Sequence, residues 1–487
     1  MKFQDFKVAW RLLVKEPSYS IIVIFGLAVG VALCYLLFGL VRHQYSYDDQ
    51  IPDNQQIYYV NEFWRILGDS GKAEGVSLPA MQAVVQSGLP VQATMVRSRN
   101  VDARVEDRLL TMNLSLVSPD FRSIFSVQAL RGDVDAAISR PDTAALTEES
   151  AIKLFGNIDV LGKTFSVQGV PYTVRAILPT PPANSSLNYQ AIAGFNSQYL
   201  DDKERQYLLS GWGTWVGHVY FKTANPATVP LIQQTMDAAF KKSTFYARLA
   251  AKMPKDLPSA VEFRIGKLRD RNLDPYVTNS PLQRPGILAA ISAVGAIVLL
   301  LAMANFLNLS TVRSIRRQRE IAIRKVLGAT SNRLLQQFFT ESILVCLLAY
   351  LLGMFFAWLL LPIFSSMVGL VFPRMFDISA LVVSLLLTLI LALACAFYPG
   401  WIALKVLPTA ALAGRGDEEN KGGLRLRRVL SVLQFSAAMG LTATGLSYAW
   451  QGEFLSQMNP GFDAKNLLVV RPAENGETAN GRAFQEA

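Results

Sequence analysis

The run Ile21-Ile-Val-Ile-Phe-Gly26-Leu-Ala-Val-Gly30-Val-Ala-Leu-Cys34-Tyr-Leu-Leu-Phe-Gly-Leu-Val41 carries no charged side chain. It exceeds the roughly 18 apolar residues that a helix needs to cross a bilayer. Four more charge-free runs follow: Gly286 to Val312, Ser342 to Pro373, Ile378 to Leu404 and Val429 to Gly452. Buried helices of soluble proteins are rarely this long and clean, so the chain reads as an α-helical integral membrane protein with five transmembrane helices. A signal peptide is the alternative for the first run. About twenty residues precede it, its apolar length exceeds the usual 7 to 15 or so, and no small-x-small site follows in Val41-Arg42-His43-Gln44-Tyr45, so it reads as an uncleaved anchor. The third run is longer than one crossing. Pro362 is expected to end or bend its helix, leaving Ile363 to Pro373 as a re-entrant or interfacial turn.

Composition agrees. Of 487 residues, 51% are hydrophobic and 17% charged, against about 25% charged in soluble domains, and the mean hydropathy is +0.27. The net charge of +10 is concentrated in three short segments: residues 1–19, 313–333 and 405–428. The insert 42–284 is nearly balanced, with 26 basic and 24 acidic residues. Basic residues flanking spans mark the cytoplasmic side, which puts the N-terminus inside and the insert outside. Anionic lipids account for the juxtamembrane charge, and nucleic acid is not expected as a partner. Phe3, Phe6, Trp10, Leu13 and Val14 recur at three- and four-residue spacing among Lys and Arg, the pattern of a helix in the membrane interface, with a plain solvated helix as the alternative.

The insert reads as an α+β domain. Ile57 to Phe63 and Val91 to Arg97 suggest strands, and Pro79 to Ser87 a helix. Thr147 is placed to cap a helix that Gly156 stops. Lys163 to Val167 and Tyr172 to Leu178 form a hairpin around Gly169-Val170. Pro226 to Lys242 reads as helical and Val261 to Ile265 as extended. His43 and His218 are the only histidines, and Cys34, Cys346 and Cys395 all fall in spans. Neither a metal site nor a disulfide framework nor a catalytic constellation is therefore expected. The segment Gly156 to Thr164 approaches a phosphate-binding loop, but it has one residue too many between its glycines and lies between a helix and a strand in the wrong order. It reads as a turn, and no ATPase is expected in the chain itself.

Several stretches together resemble the FtsX/MacB-type permeases of ABC transporters, over essentially the whole chain. They are Arg11-Leu-Leu-Val-Lys-Glu-Pro-Ser-Tyr-Ser-Ile with Gly26-Leu-Ala-Val-Gly30, Ala151-Ile-Lys-Leu-Phe-Gly156, Leu161-Gly-Lys-Thr-Phe, Tyr172-Thr-Val-Arg-Ala-Ile-Leu and Pro182-Ala-Asn-Ser-Ser-Leu187. The most specific is Arg316-Arg-Gln-Arg-Glu320-Ile-Ala-Ile-Arg324-Lys325-Val-Leu-Gly328-Ala329-Thr330. The resemblance implies that this is a coupling helix docking on a separate cytoplasmic ABC ATPase, through Arg319, Glu320, Ile321, Arg324, Lys325, Gly328 and Ala329. Ile321, Ala322, Val326 and Leu327 can form an apolar ridge for a groove. Glu320, Arg324 and Lys325 can pair with charges at its rim, and Gly328 can cap the helix. An ordinary positive-inside loop is the alternative. Gly26 and Gly30 are expected to pack the first span.

The resemblance further implies a bacterial inner-membrane location, a MacB-like periplasmic core domain and no cofactor beyond ATP on the partner. Its other expected partners are a second permease copy or a homologous permease, membrane lipids and a periplasmic adaptor. The expected function is mechanotransmission that exports or extracts a substrate: an antimicrobial peptide, macrolide-like drug, lipid or lipoprotein. The alternatives are a signal relay controlling a periplasmic hydrolase or sensor, and a membrane-anchored enzyme. The expected layout is an interfacial helix at 1–19, spans at 20–41, 286–312, 338–362, 378–404 and 429–450, the core domain at 42–284, and cytoplasmic segments at 313–337 and 405–427. Residues 451–487 read as the start of a second periplasmic domain, with Asn459 to Val470 resembling its opening strand, as Asp53 to Val60 does for the first. Gly414 to Gly423 is a polar, glycine-rich linker, and Ala473 to Ala487 a polar tail. Two-repeat members continue further, so the chain reads as a fragment or truncated product with its C-terminus outside.

Overall fold

A computed structural model describes residues 3–64, 72–73, 75–213, 216–251, 261–277, 280–405 and 421–458. The described residues divide into two compact units, those of 3–42 with 289–458, and those of 43–288. The first opens with α1 (Phe3–Lys15) and α2 (Pro17–Tyr45). Pro17 starts α2 where a missing N–H costs nothing. At the elbow the Ser20 hydroxyl donates to the Leu13 carbonyl at 2.8 Å.

The second unit is built on β1 (Ile57–Trp64), β2 (Lys72–Ala73), β3 (Gln92–Val105), β4 (Arg108–Val117), β5 (Arg131–Gly132), β6 (Thr143–Thr147), β7 (Thr164–Val167), β8 (Val170–Leu178), β9 (Ala191–Gly194), β10 (His218–Lys222) and β11 (Val261–Lys267). They form one sheet in the order β11-β1-β10-β3-β4-β9-β6-β8-β5, with β2 beside β1, and β7 against β3 and β8. Most pairs are antiparallel; β4 with β9 and β6 with β8 are parallel. The helices are α3 (Leu78–Gln86), α4 (Phe121–Phe125), α5 (Val134–Ser139), α6 (Glu148–Phe155), α7 (Asp202–Ser210), α8 (Val229–Lys242) and α9 (Thr244–Ala250). Successive strand residues serve opposite cores, as the two-residue period of a strand requires. Val219 and Phe221 join Ala151, Leu154, Ile232 and Met236 on one face. Tyr220 joins Phe121, Ile124, Val134 and Ala137 on the other. A sheet covered on both faces explains why β6 and β9, near its centre, are buried at every position instead of alternating.

Local signals behave as their chemistry dictates. Thr147 Oγ1 accepts the Ser150 N–H, and Gly156 (φ +81°) ends α6 with its N–H on the Ile152 carbonyl at 2.8 Å. Gln168 (φ 49°) and Gly169 (φ +87°) are both left-handed, the two-residue turn that suits a twisted hairpin. The pairing of Val167 with Val170 therefore begins β8 two residues before Tyr172. The Pro182 to Leu187 loop clamps the start of the unit: buried Asp48 accepts the Ser186 N–H at 2.7 Å, and the Asn184 amide donates to the Ser46 carbonyl at 2.7 Å.

The remaining helices are α10 (Pro285–Arg316), α11 (Gln318–Val326), α12 (Ser331–Val368), α13 (Ile378–Lys405) and α14 (Lys421–Gln457). Five of the helices, α2, α10, α12, α13 and α14, contain stretches long and apolar enough to cross a membrane. Leu27, Ala28, Val31, Phe306, Cys346, Ala349, Ala392 and Cys395 form a core among the first four. α12 does not stop at Pro362. It continues to Val368, where Gly369 (φ +70°) closes it with its N–H on the Ser365 carbonyl at 2.9 Å. A proline removes one ladder bond, but in hydrocarbon the backbone has no water to turn to, so the helix persists. The expected turn thus begins only at Gly369. Lys421 to Gly423, read as linker, already belong to α14. Gly414 to Asn420, Asn459 to Val470 and Ala473 to Ala487 lie outside the described residues.

Candidate functional site

The basic segment between α10 and α12 folds as a short helix locked onto its own chain. Glu320 in the first turn of α11 and Arg324 and Lys325 in the last complement the helix dipole. Past Val326 the chain reverses in a Schellman motif: the Gly328 N–H donates to the Lys325 carbonyl at 3.1 Å and the Ala329 N–H to the Arg324 carbonyl at 2.9 Å. Gly328 has φ +87°, a conformation that costs other residues about 1 kcal/mol or more. Gly328 and Ala329, expected as coupling residues, are thus the reversal that ends the helix.

A closed ring of five side chains fastens α11 to α12. Arg317 Nε donates to Glu320 at 3.0 Å, and Arg324 Nη2 donates to the other Glu320 oxygen at 2.5 Å. Arg324 Nη1 donates to the Gln337 oxygen at 2.6 Å, Gln337 donates to Glu341 at 3.0 Å, and Arg317 Nη1 returns to Glu341 at 3.2 Å. The Arg317 and Glu341 side chains are each only 13% exposed, so removing either would strand a buried charge. Burial pulls the Arg317 pKa down, but Glu341 and Glu320 outweigh it and hold the value raised. Burial pushes Glu320 up, but its bond to Arg317, with Arg324 nearby, leaves its carboxyl below the ordinary value. Lys325 donates to the Leu404 carbonyl at 2.7 Å, and burial lowers its pKa.

This arrangement corrects the expected docking face. Ile321 and Ala322 are not part of an exposed ridge; they are 4% and 0% exposed, with Ile321 packed on Leu334 and Phe338. The outward apolar face is Ile323, Val326 and Leu327, 49%, 64% and 81% exposed, at the i, i+3, i+4 spacing of one helix face. Three consecutive apolar residues, 321 to 323, made the face ambiguous from sequence. Glu320 and Arg324 spend their charge inside the ring, and Lys325 binds a backbone carbonyl. Arg319 is exposed.

Behind the ring, Arg313 ties α10 to the elbow of α1 and α2. Its Nη2 donates to the Leu12 carbonyl at 3.1 Å, its Nε lies 3.0 Å from Glu16, and its guanidinium covers the Tyr19 ring at 4.8 Å. Leu13, expected on the membrane face of α1, is buried in protein, whereas Trp10 and Val14 are exposed. In α2, a Cβ on Gly30 would lie 2.8 Å from the Ala302 Cβ, so α10 approaches closely there; at Gly26 the nearest atom, Asn305 Nδ2, would be at an ordinary 3.7 Å. The other end of α2 is held by a two-pronged pair, Arg42 to Asp377 at 2.8 and 2.7 Å, which with burial opposing it holds the Asp377 carboxyl down to about 2. Sequence reading missed Glu341, Gln337, Arg313 and Asp377. Only the four-residue spacing of Gln337 and Glu341, at the mouth of an otherwise charge-free run, could have drawn attention to them.

Residues 20–239 match the MacB-like periplasmic core domain, and residues 292–408 the FtsX-like permease C-terminal domain. Among curated relatives, a syringafactin export ATP-binding/permease protein, SyfD, of Pseudomonas syringae is 20% identical over 84% of this chain and 60% of its own length. The macrolide export ATP-binding/permease protein MacB of Shewanella oneidensis is 24% identical over 71% of this chain and 50% of its own length. The chain thus spans half to three-fifths of the curated relatives it matches. The crystal structure of the periplasmic region of MacB from Actinobacillus actinomycetemcomitans covers 45% of this chain and 91% of its own length, at 15% identity and a TM-score of 0.30.

Proposed function

We propose that the chain is an FtsX/MacB-like permease of an ABC transporter, a reading supported by the matches of its two segments to those domains, and that it couples ATP hydrolysis on a separate cytoplasmic ATPase to movement of its periplasmic core domain. It is a multi-pass inner-membrane protein. The observation that carries the coupling reading is the exposed apolar face Ile323, Val326 and Leu327 on a helix held rigid by the ring of Arg317, Glu320, Arg324, Gln337 and Glu341. Large aliphatic side chains facing water are costly unless covered, and a face braced against α12 can pass on a push instead of absorbing it. Arg319 beside it can meet acidic groups at the rim of a groove. The work done is export or extraction of a substrate from the periplasmic side. The relatives named for macrolide and syringafactin export support an export role and leave the cargo open.

The test is co-purification with the candidate ATPase and ATP hydrolysis in lipid nanodiscs. Val326→Asp and Leu327→Asp should each weaken complex formation by about tenfold or more, because a carboxylate would be buried against an apolar groove. Val85→Asp, an exposed aliphatic position in α3, should change nothing. Unaltered association in both α11 variants would overturn the coupling assignment.

A further inference from the structure

The periplasmic unit contains a groove of about 690 Å³ lined by Arg104, Glu106 and Arg108 of the β3–β4 hairpin, Leu154 and Phe155 at the end of α6, and Lys163 and Thr164 before β7. Its volume falls in the range of small-ligand sites. Three cations and one carboxylate line it, a balance of +2. Among the described residues none of these four makes an ion pair, although ten other basic side chains of the same unit do and several, such as Arg175, Lys203 and Lys241, do not.

Two of the groove cations are held in place without being neutralised. Arg108 Nη1 lies 3.5 Å from the Leu154 carbonyl, at the electronegative C-terminal end of α6. The guanidinium lies against Gly156, where a Cβ would be 3.1 Å from Arg108 Nη1. The Lys163 ammonium sits over the Phe155 ring at 5.8 Å. An aromatic face and a carbonyl orient a cation yet leave most of its donors unused. Two guanidinium forks and an ammonium on one concave surface are the donor set that takes a phosphate dianion.

We propose that this groove is an anion-binding site whose ligand carries a phosphate group, on a soluble molecule or on a lipid head group. Recognition is through side chains. The segment Gly156 to Thr164 follows a helix and precedes a strand, so it cannot supply the converging backbone N–H groups of a nucleotide-binding loop. The site does not depend on the coupling role of α11.

The test uses the whole chain in nanodiscs of zwitterionic lipid, titrated calorimetrically with inorganic phosphate, glycerol 3-phosphate, dihexanoyl phosphatidic acid and dihexanoyl phosphatidylcholine. Saturable binding of the phosphomonoesters is expected, weakened about tenfold or more in Arg104→Gln/Arg108→Gln/Lys163→Gln and unchanged in Lys203→Gln/Lys241→Gln, whose cations lie outside the groove. Because Arg108 and Lys163 both touch α6, Arg104→Gln alone serves as a second variant, and it too should weaken binding. Tighter binding of phosphatidic acid than of glycerol 3-phosphate identifies a lipid head group, and equal binding a soluble phosphate. Equal affinity in wild type and groove variants, or no saturable binding of any phosphomonoester, overturns the proposal.

Discussion

Glu62 lies in the middle of β1, 2% exposed, and accepts the Ser77 N–H at 2.9 Å and the Trp64 indole N–H at 3.2 Å. Burial pushes its carboxyl from 4.5 up to about 7 against those hydrogen bonds. An acid whose folded value lies above its unfolded one favours the folded state most when protonated in both. The stabilisation is full below about pH 4.5 and is lost as pH rises through about 7, by an amount on the order of 3 kcal/mol. Ser77 holds the N-cap position of α3 without a side-chain capping bond, and its N–H rests on Glu62, so ionisation acts at the joint between that helix and the sheet. Thermal unfolding should show a higher midpoint for the periplasmic unit at pH 5 than at pH 8, and Glu62→Gln should flatten the difference. An unchanged pH slope in the variant would remove Glu62 from the account. Nothing in Asn61-Glu62 within an apolar strand announced this carboxylate, because an interior strand residue is buried by the neighbours that cover its face, and those lie far away in the chain.

Elements were legible to the extent that their signals are local. Thr147 and Gly156 bracket α6 by capping chemistry, and the hairpin read around Gly169-Val170 forms with its turn one residue earlier, at Gln168-Gly169. Where an element's extent depends on its surroundings, sequence reading fell short: Pro362 is accommodated within α12, and α11 turns Ile323 outward instead of Ile321. The two glycines of α2 separate in the same way. Gly30→Ala must move α10, because the new methyl would lie 2.8 Å from the Ala302 Cβ, whereas Gly26→Ala meets only an ordinary contact. Overpacking of this kind costs about 1–3 kcal/mol, while glycine to alanine in a helix otherwise gains up to about 1 kcal/mol. Gly30→Ala should therefore lower the unfolding midpoint in nanodiscs and Gly26→Ala leave or raise it. Equal midpoints for the two variants would refute the close approach.

For the whole molecule, orientation rests on the distribution of charge across the spans. Lys163 and Arg319 are both exposed, on the two sides of the membrane that the basic segments imply. In a background with Cys34, Cys346 and Cys395 replaced by Ala, Lys163→Cys should react with an impermeant maleimide on intact spheroplasts, and Arg319→Cys only after permeabilisation. The reverse pattern would invert the topology. Hydropathy, juxtamembrane charge and the caps of individual elements were determined by the sequence alone, since each depends on residues within one helix length. The tertiary structure alone decided which face of α11 is free, that Arg317 and Glu341 meet across 24 positions, and that Arg104, Arg108 and Lys163 share one groove. These depend on which distant surfaces pack together, and packing is settled by shape and by the cost of burying charge, neither of which a local pattern of residues records.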